Sequence, residues 1–136
     1  MGTRSSIGIM RENGEIEAIY CHWDGYLSNN GRFLVEAYDT VEKINELINL
    51  GDISVLKRTV DESIAYHRDR SENWSDVLPK FFRNVDDYIE TFGMDEEYAY
   101  IFINGEWVYN SYKEKDGAGY KLASVRDTIE NGEYQE

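Results

Sequence analysis

Cysteine occurs once in the 136 residues, at Cys21, and proline once, at Pro79. A single cysteine excludes an intrachain disulfide and any zinc cluster built on paired thiolates, and it points to a reducing, intracellular compartment. Long apolar runs are missing as well. Thr3, Arg4 and Ser5 lead into a short strand-like pattern, so neither a secretory leader nor a membrane span is expected here. Basic residues are scarce, 14 Lys and Arg against 27 Asp and Glu, for a net charge of -13. That balance disfavours direct contact with nucleic acid or anionic membrane, whose binding depends on neutralised phosphates. There is no Walker loop, strand-to-helix GxGxxG, HExxH, GxSxG elbow or EF-hand loop, so no cofactor is expected.

What the chain does contain is 41% hydrophobic and 14% aromatic residues, enough to offset chain entropy without disulfides or metal. The length suits one compact domain spanning 1–136, and no linker divides it. The ordinary reading of the acidity is solvation. The sharper one is an acidic face that imitates nucleic acid and occupies a basic site on another protein.

Two hairpins stand out. Asn13-Gly14 separates Ile7 and Ile9 from Ile16, Ala18 and Tyr20, which predicts strands at about 4–12 and 15–23. With a two-residue loop, Ile9 faces Ala18, Ile7 faces Tyr20 and Met10 faces Glu17. Asn104-Gly105 turns a second, aromatic pair in which Phe102 meets Trp107 and Tyr100 meets Tyr109. Tyr98 to Ile103 is apolar on both alternating faces, as a central strand is.

Helical spacing appears between and after the hairpins. Asn29 or Asn30 is placed to cap a helix carrying Phe33, Leu34, Ala37 and Tyr38. Asp39 and Glu42 resemble a capping box for a helix at about 40–50, with Val41, Ile44, Leu47 and Ile48 inside and Gly51 beyond its end. Asn84 is placed to cap another with Val85, Tyr88, Ile89 and Phe92, stopped by Gly93 after a break at Pro79. Leu122, Val125 and Ile129 imply a last helix running into an acidic tail, with a loop at 116–119 before it. Residues 52–80 carry the weakest pattern. The order predicts an α+β fold, an antiparallel sheet built from two hairpins and packed by three to four helices.

Cys21, His22, Trp23 and Asp24 are the densest group of reactive types. Adjacent strand residues point to opposite faces, so Cys21 and His22 do not make a nucleophile and base pair, and Cys21 reads as a small buried hydrophobe. His22 and Asp24 share a face in an extended segment, and His67 and Asp69 repeat the spacing. If the two segments meet, they form an adequate ligand set for zinc, iron or manganese. Arg68, Asp69, Arg70, Glu72 and Asp76 surround Trp74 and are able to offer a guanidinium fork to a carboxylate or phosphate. A solvated loop with local ion pairs is the plainer reading of that run.

The run Thr3-Arg4-Ser5 with Ile7 and Ile9, then Ile19-Tyr20-Cys21-His22-Trp23-Asp24-Gly25-Tyr26 followed by Gly31, Leu34 and Tyr38, resembles a family of small, uncharacterised bacteriophage and prophage proteins. Leu50-Gly51-Asp52-Ile53-Ser54, the Tyr66 to Trp74 segment, and Glu97-Tyr98-Ala99-Tyr100 leading to Gly105-Glu106-Trp107 extend the likeness over most of the chain. Leu27 stands where proline often follows the tyrosine, and His67 where glycine often precedes Arg-Asp-Arg. The resemblance implies a phage accessory protein working in the host bacterial cytoplasm, and it brings no assigned catalytic residues.

Together with the acidity, it suggests a non-enzymatic, anti-defence type of protein that binds and inhibits a host or defence protein, one that handles nucleic acid if mimicry is the mode. Tyr20, Trp23, Asp24, Tyr26, Arg68, Arg70 and Trp74 are the expected contact residues. The alternative is a small metal-dependent hydrolase or nucleotide-processing enzyme built on His22, Asp24, His67 and Asp69. Oligomeric state stays open.

Overall fold

In the computed structural model, which describes residues 3–92 and 97–132, the chain opens with β1 (Ser5–Met10) and β2 (Ile16–Cys21). One π turn, Leu27–Gly31, runs into α1 (Arg32–Ala37), followed by α2 (Val41–Ile48). Residues 52–80 fold into β3 (Ile53–Val55), β4 (Ile64–Ala65), α3 (Tyr66–Arg70) and α4 (Trp74–Val77). Then come β5 (Lys80–Phe82), α5 (Val85–Phe92), β6 (Tyr98–Ile103) and β7 (Glu106–Ser111). A small separate hairpin of β8 (Lys115–Asp116) and β9 (Gly119–Tyr120), where a loop was expected, precedes β10 (Ala123–Ser124) and α6 (Val125–Asn131).

The sheet corrects the antiparallel expectation. Its order is β10-β7-β6-β1-β2-β3-β4, with β5 also on β2, and it is mixed. Both hairpins exist, but their first strands lie side by side and parallel, Ile7 beside Tyr100 and Ile9 beside Phe102, and β2 pairs parallel with β3 at Cys21 and Ile53. Parallel neighbours need long crossovers, and the helix-bearing stretches after β2 supply them. Five consecutive buried residues in β1 and in β6 agree with strands covered on both faces. Six α-helices among the described residues, rather than three or four, complete the α+β fold.

The second hairpin has the predicted register, with Phe102 opposite Trp107 and Tyr100 opposite Tyr109 across an Asn104-Gly105 turn whose two residues both have positive φ. The first is displaced by one residue. Ile7 faces Ile19, Ile9 faces Glu17 and Met10 faces Ile16, because the loop holds three residues, closed by Gly14 N–H to Arg11 O at 2.9 Å, with Gly14 at φ +87. This is a turn followed by a left-handed residue, the next commonest hairpin connection after the two-residue one.

One sheet face carries Ile7, Ile9, Ile19, Cys21, Ile53, Tyr100 and Phe102 against Leu34, Tyr38, Ile44, Leu47, Ile48 and Val125 from α1, α2 and α6. The other buries Ile16, Ala18, Ala99 and Ile101 beneath Tyr88 and Ile89 of α5, with Phe82 beside them. Each fully buried aliphatic side chain contributes about 1.5–3 kcal/mol. Caps follow the local chemistry. Asn84 Oδ1 accepts from Asp87 N–H as expected, whereas α2 is capped by Thr40 Oγ1 accepting from Lys43 N–H, one residue after the anticipated Asp39. Gly51, at φ +76, stands beyond the end of α2. Pro79 breaks the chain ahead of β5, not directly ahead of a helix. The expected Gly93 stop and the acidic tail after residue 132 lie outside the described residues.

Candidate functional site

The segment from Cys21 to Gly31 leaves the sheet along a path that its own polar groups hold. Asn29 and Asn30 do not cap α1. Asn30 Nδ2 donates to Ser5 Oγ at 3.2 Å and to Cys21 Sγ at 3.3 Å, and Asn29 Nδ2 donates to Asp24 O at 3.2 Å. The buried Tyr100 hydroxyl donates to Gly25 O at 2.6 Å. Asp24 has φ 57, a left-handed conformation that aspartate tolerates better than most residues, and this turns the chain after His22. His22 and Asp24 are therefore not two places apart on one extended face. Gly25 lies so close to β1 that a Cβ there would stand 2.7 Å from Ser5 Cβ and 2.9 Å from Arg4 C. Most of the Cys-His-Trp-Asp-Gly-Tyr string is thus accounted for by folding.

Cys21 is fully buried, and burial pushes its thiol up to about 11, against the hydrogen bond from Asn30. A thiol held neutral at physiological pH is a poor nucleophile, in line with its reading as a small hydrophobe. Tyr26 packs partly buried against the core and offers little free surface.

Trp23 is the side chain this segment delivers outward, 40% exposed. Its backbone is fixed at both ends, with N–H donating to Ser54 O at 3.0 Å and its carbonyl accepting from Cys21 Sγ and Asn30 Nδ2. The His22 ring meets the indole edge-on at 4.7 Å, and Tyr20 Oη lies 2.6 Å from His22 Nδ1. Trp74, also 40% exposed, repeats the device: the His67 ring meets it edge-on at 5.3 Å, and His67 Nδ1 donates to Glu72 O at 2.8 Å. Trp74 packs on Gly51, where an added Cβ would stand 2.9 Å from its ring. The chain's two histidines thus each brace an exposed tryptophan. Gly51, against the Trp74 ring, and Ser54, whose carbonyl holds the Trp23 backbone, belong to one short stretch of chain.

Between those anchors lies Asp52, which sequence reasoning passed over as a site residue. Its N–H donates to Val77 O, its carbonyl accepts from Tyr66 N–H, and its Oδ1 accepts from Tyr20 N–H at 2.9 Å. Lys80 Nζ stands 3.9 Å from Oδ2. Burial raises the Asp52 carboxyl above the ordinary range, partly offset by the Tyr20 amide and Lys80. The Tyr66 hydroxyl sits beside the buried Ser54 hydroxyl without closing a full hydrogen bond, and burial raises this phenol too. The signal for these residues was the Leu50–Ser54 and Tyr66 pieces of the family resemblance, which the fold brings together with Tyr20 and Trp23.

The two arginines part company. Arg68 is consumed internally: Nη1 donates to Val60 O at 2.9 Å, Nη2 donates to Ser63 O at 2.6 Å, and the fork closes on Asp69, whose carboxyl it lowers. Arg70 lies over the Tyr66 ring at 5.6 Å, exposed at the surface. Asp69 also accepts from Ala65 N–H, so this carboxylate is committed to its own loop. Among the described residues no three His, Cys, Asp or Glu side chains are grouped to hold a metal ion, and the His22, Asp24, His67 and Asp69 set is not assembled.

A groove of about 420 Å³ lined by Ala37, Tyr38, Lys43, Glu46, Arg58 and Val60, among others, shares no residue with the candidate set. Its cations are paired, Lys43 with Asp39 and Arg58 with Glu36, which leaves it no strong handle for a charged ligand. Among the described residues no helix is long and apolar enough to cross a membrane. Compared with family models, curated proteins and solved structures, the chain matches none.

Proposed function

We propose that this is an acidic, phage-type accessory protein of the bacterial cytoplasm that binds and inhibits a host or defence protein. Trp23 and Trp74 are its main contacts, with Tyr20, Asp24 and Arg70 around them. The observation that carries the reading is the pair of exposed indoles, each braced by a histidine. Solvating surface does not require rigid, half-exposed tryptophan, whereas protein interfaces draw much of their affinity from such residues. Bracing also lowers the entropy lost on docking. The net charge of -13 favours a basic partner, of the kind that handles nucleic acid, and sets the like-charge surfaces of other proteins aside.

The test is affinity capture from bacterial lysate at two salt concentrations, with the tagged protein and its Trp23→Leu/Trp74→Leu variant, after circular dichroism has established that both fold. One abundant nucleic-acid-handling protein, retained by the parent, released by salt and lost with the variant, is the expected result. Equal retention by the variant refutes the surface. One equivalent of zinc, iron or manganese in the purified protein, with no partner retained, refutes the binding reading altogether.

A further inference from the structure

We infer that the two exposed tryptophans receive cationic side chains of the partner, arginine or lysine. This rests on the docking surface proposed above and specifies its chemistry. Each indole has a neighbour on one side, His22 for Trp23, and His67 with Gly51 for Trp74, and each keeps 40% of its surface in solvent. Tryptophan is the strongest cation acceptor among the aromatic side chains, through the negative face of its π-system.

Carboxylates stand next to both rings in the chain: Asp24 follows Trp23, and Glu72 and Asp76 flank Trp74 two residues away on either side. None of the three belongs to an ion pair among the described residues, in contrast to Asp39, Asp69 and Asp87, which are paired with Lys43, Arg68 and Arg83. An exposed indole whose neighbours in the chain include an unpaired carboxylate suits a guanidinium or ammonium group, and Trp23 and Trp74 are two of these. The chain already uses this contact internally, with Arg70 over Tyr66 and Arg58 over Phe33. The excess of 27 acidic over 14 basic residues supplies the long-range attraction that brings such a partner in. The occupant is therefore a basic protein surface bearing two cationic side chains, one for each indole.

The probe is a fluorescently labelled peptide of eight arginines, titrated with the folded protein at low and moderate salt while the anisotropy of the label is followed. Trp23→Leu/Trp74→Leu keeps every charge, so it separates ring contact from bulk attraction. The expected result is a saturable rise in anisotropy and an affinity about tenfold or more lower in the variant, as two lost ring contacts imply. Undiminished binding by the variant overturns the inference, because charge alone then accounts for it. If the variant binds the peptide as the parent does yet loses its lysate partner, this inference falls and the docking surface stands. If peptide binding depends on the tryptophans while the lysate partner is retained by the variant, the proposed surface falls and this inference falls with it.

Discussion

Replacing Gly25 by alanine tests the account of the segment that leaves β2. Gly25 is not a residue of positive φ, so its replacement is a question of space alone. The added methyl would stand 2.7 Å from Ser5 Cβ, 2.9 Å from Ser5 Oγ and 2.9 Å from Arg4 C. Non-bonded carbons settle at roughly 3.5–4.0 Å, so the overlap approaches 1 Å and one of its partners is backbone, which cannot rotate aside. β1 is poorly placed to retreat, since Ser5 is paired with Cys21 on one side and Tyr98 on the other. Gly25 is tied as well, through its N–H to Thr3 O at 2.7 Å and its carbonyl to the Tyr100 hydroxyl. The cost is therefore about 3 kcal/mol, the upper part of the overpacking range. That corresponds to a melting temperature lower by about 10 °C for a domain of this size. Urea unfolding followed by circular dichroism measures the first quantity and a thermal scan the second. Gly105→Ala is the control: its cost of about 1 kcal/mol arises from φ +83 alone, because nothing lies within 4 Å of its added methyl. If Gly25→Ala is as mild as that control, the close approach to β1 does not exist in solution and the anchoring of Trp23 has to be revised.

Asp52 gives a pH prediction opposite to that of most carboxylates. Its folded-state carboxyl titrates above the unfolded value because burial penalises the charge, so the folded state holds this proton more tightly, and the contribution to stability falls as pH rises through that window. Asp52→Asn, which keeps an oxygen for the Tyr20 amide, should flatten this part of the stability profile; urea unfolding from pH 4 to 7 reads it, and an unchanged profile refutes it. Tyr112 and Lys113 both have positive φ, 54 and 55, where a two-residue turn prefers Asn-Gly. Tyr112→Asn/Lys113→Gly should gain about 1 kcal/mol net of the exposed contacts to Glu97 and Glu90 that it removes, seen as a higher urea midpoint. Arg68→Gln should cost about 1–2 kcal/mol by releasing the carbonyls of Val60 and Ser63, with faster proteolysis between residues 57 and 63, yet leave partner capture intact.

Where a single local interaction decides the structure, the sequence was readable. Asn104-Gly105 dictated a turn and with it the whole register of β6 and β7, and Asn84 capped α5 as its side chain chemistry requires. Where two local solutions lie close in energy, it misled. Asn13-Gly14 suits a two-residue loop, but a three-residue loop with Gly14 left-handed is nearly as good, and it places Ile7, Ile9, Ile19 and Cys21 together in one core. Asn29 and Asn30 carry the side chains of helix caps, yet a buried cysteine, a serine and exposed carbonyls compete for the same amide groups and win. Arg68 was attractive as an exposed fork for an anion, and nothing in its neighbours' types reveals that Val60 and Ser63 turn their carbonyls toward it.

The sequence by itself determined composition-level properties: a strongly acidic chain without a disulfide, enough aromatic and aliphatic surface for a core, and hairpins and helices set by turn and cap residues. It also singled out the tryptophans at 23 and 74, while the histidine set against each ring came from the fold. Only the tertiary structure decided that the first strands of the two hairpins run parallel in the middle of a mixed sheet, that His22, Asp24, His67 and Asp69 do not gather, and that Asp52 joins β2, α3, α4 and β5. The physical reason is range. Turns and caps are closed by groups a few residues apart and are written into short strings, whereas strand neighbours and buried polar junctions join segments tens of residues apart, and their choice depends on the packing of the whole chain.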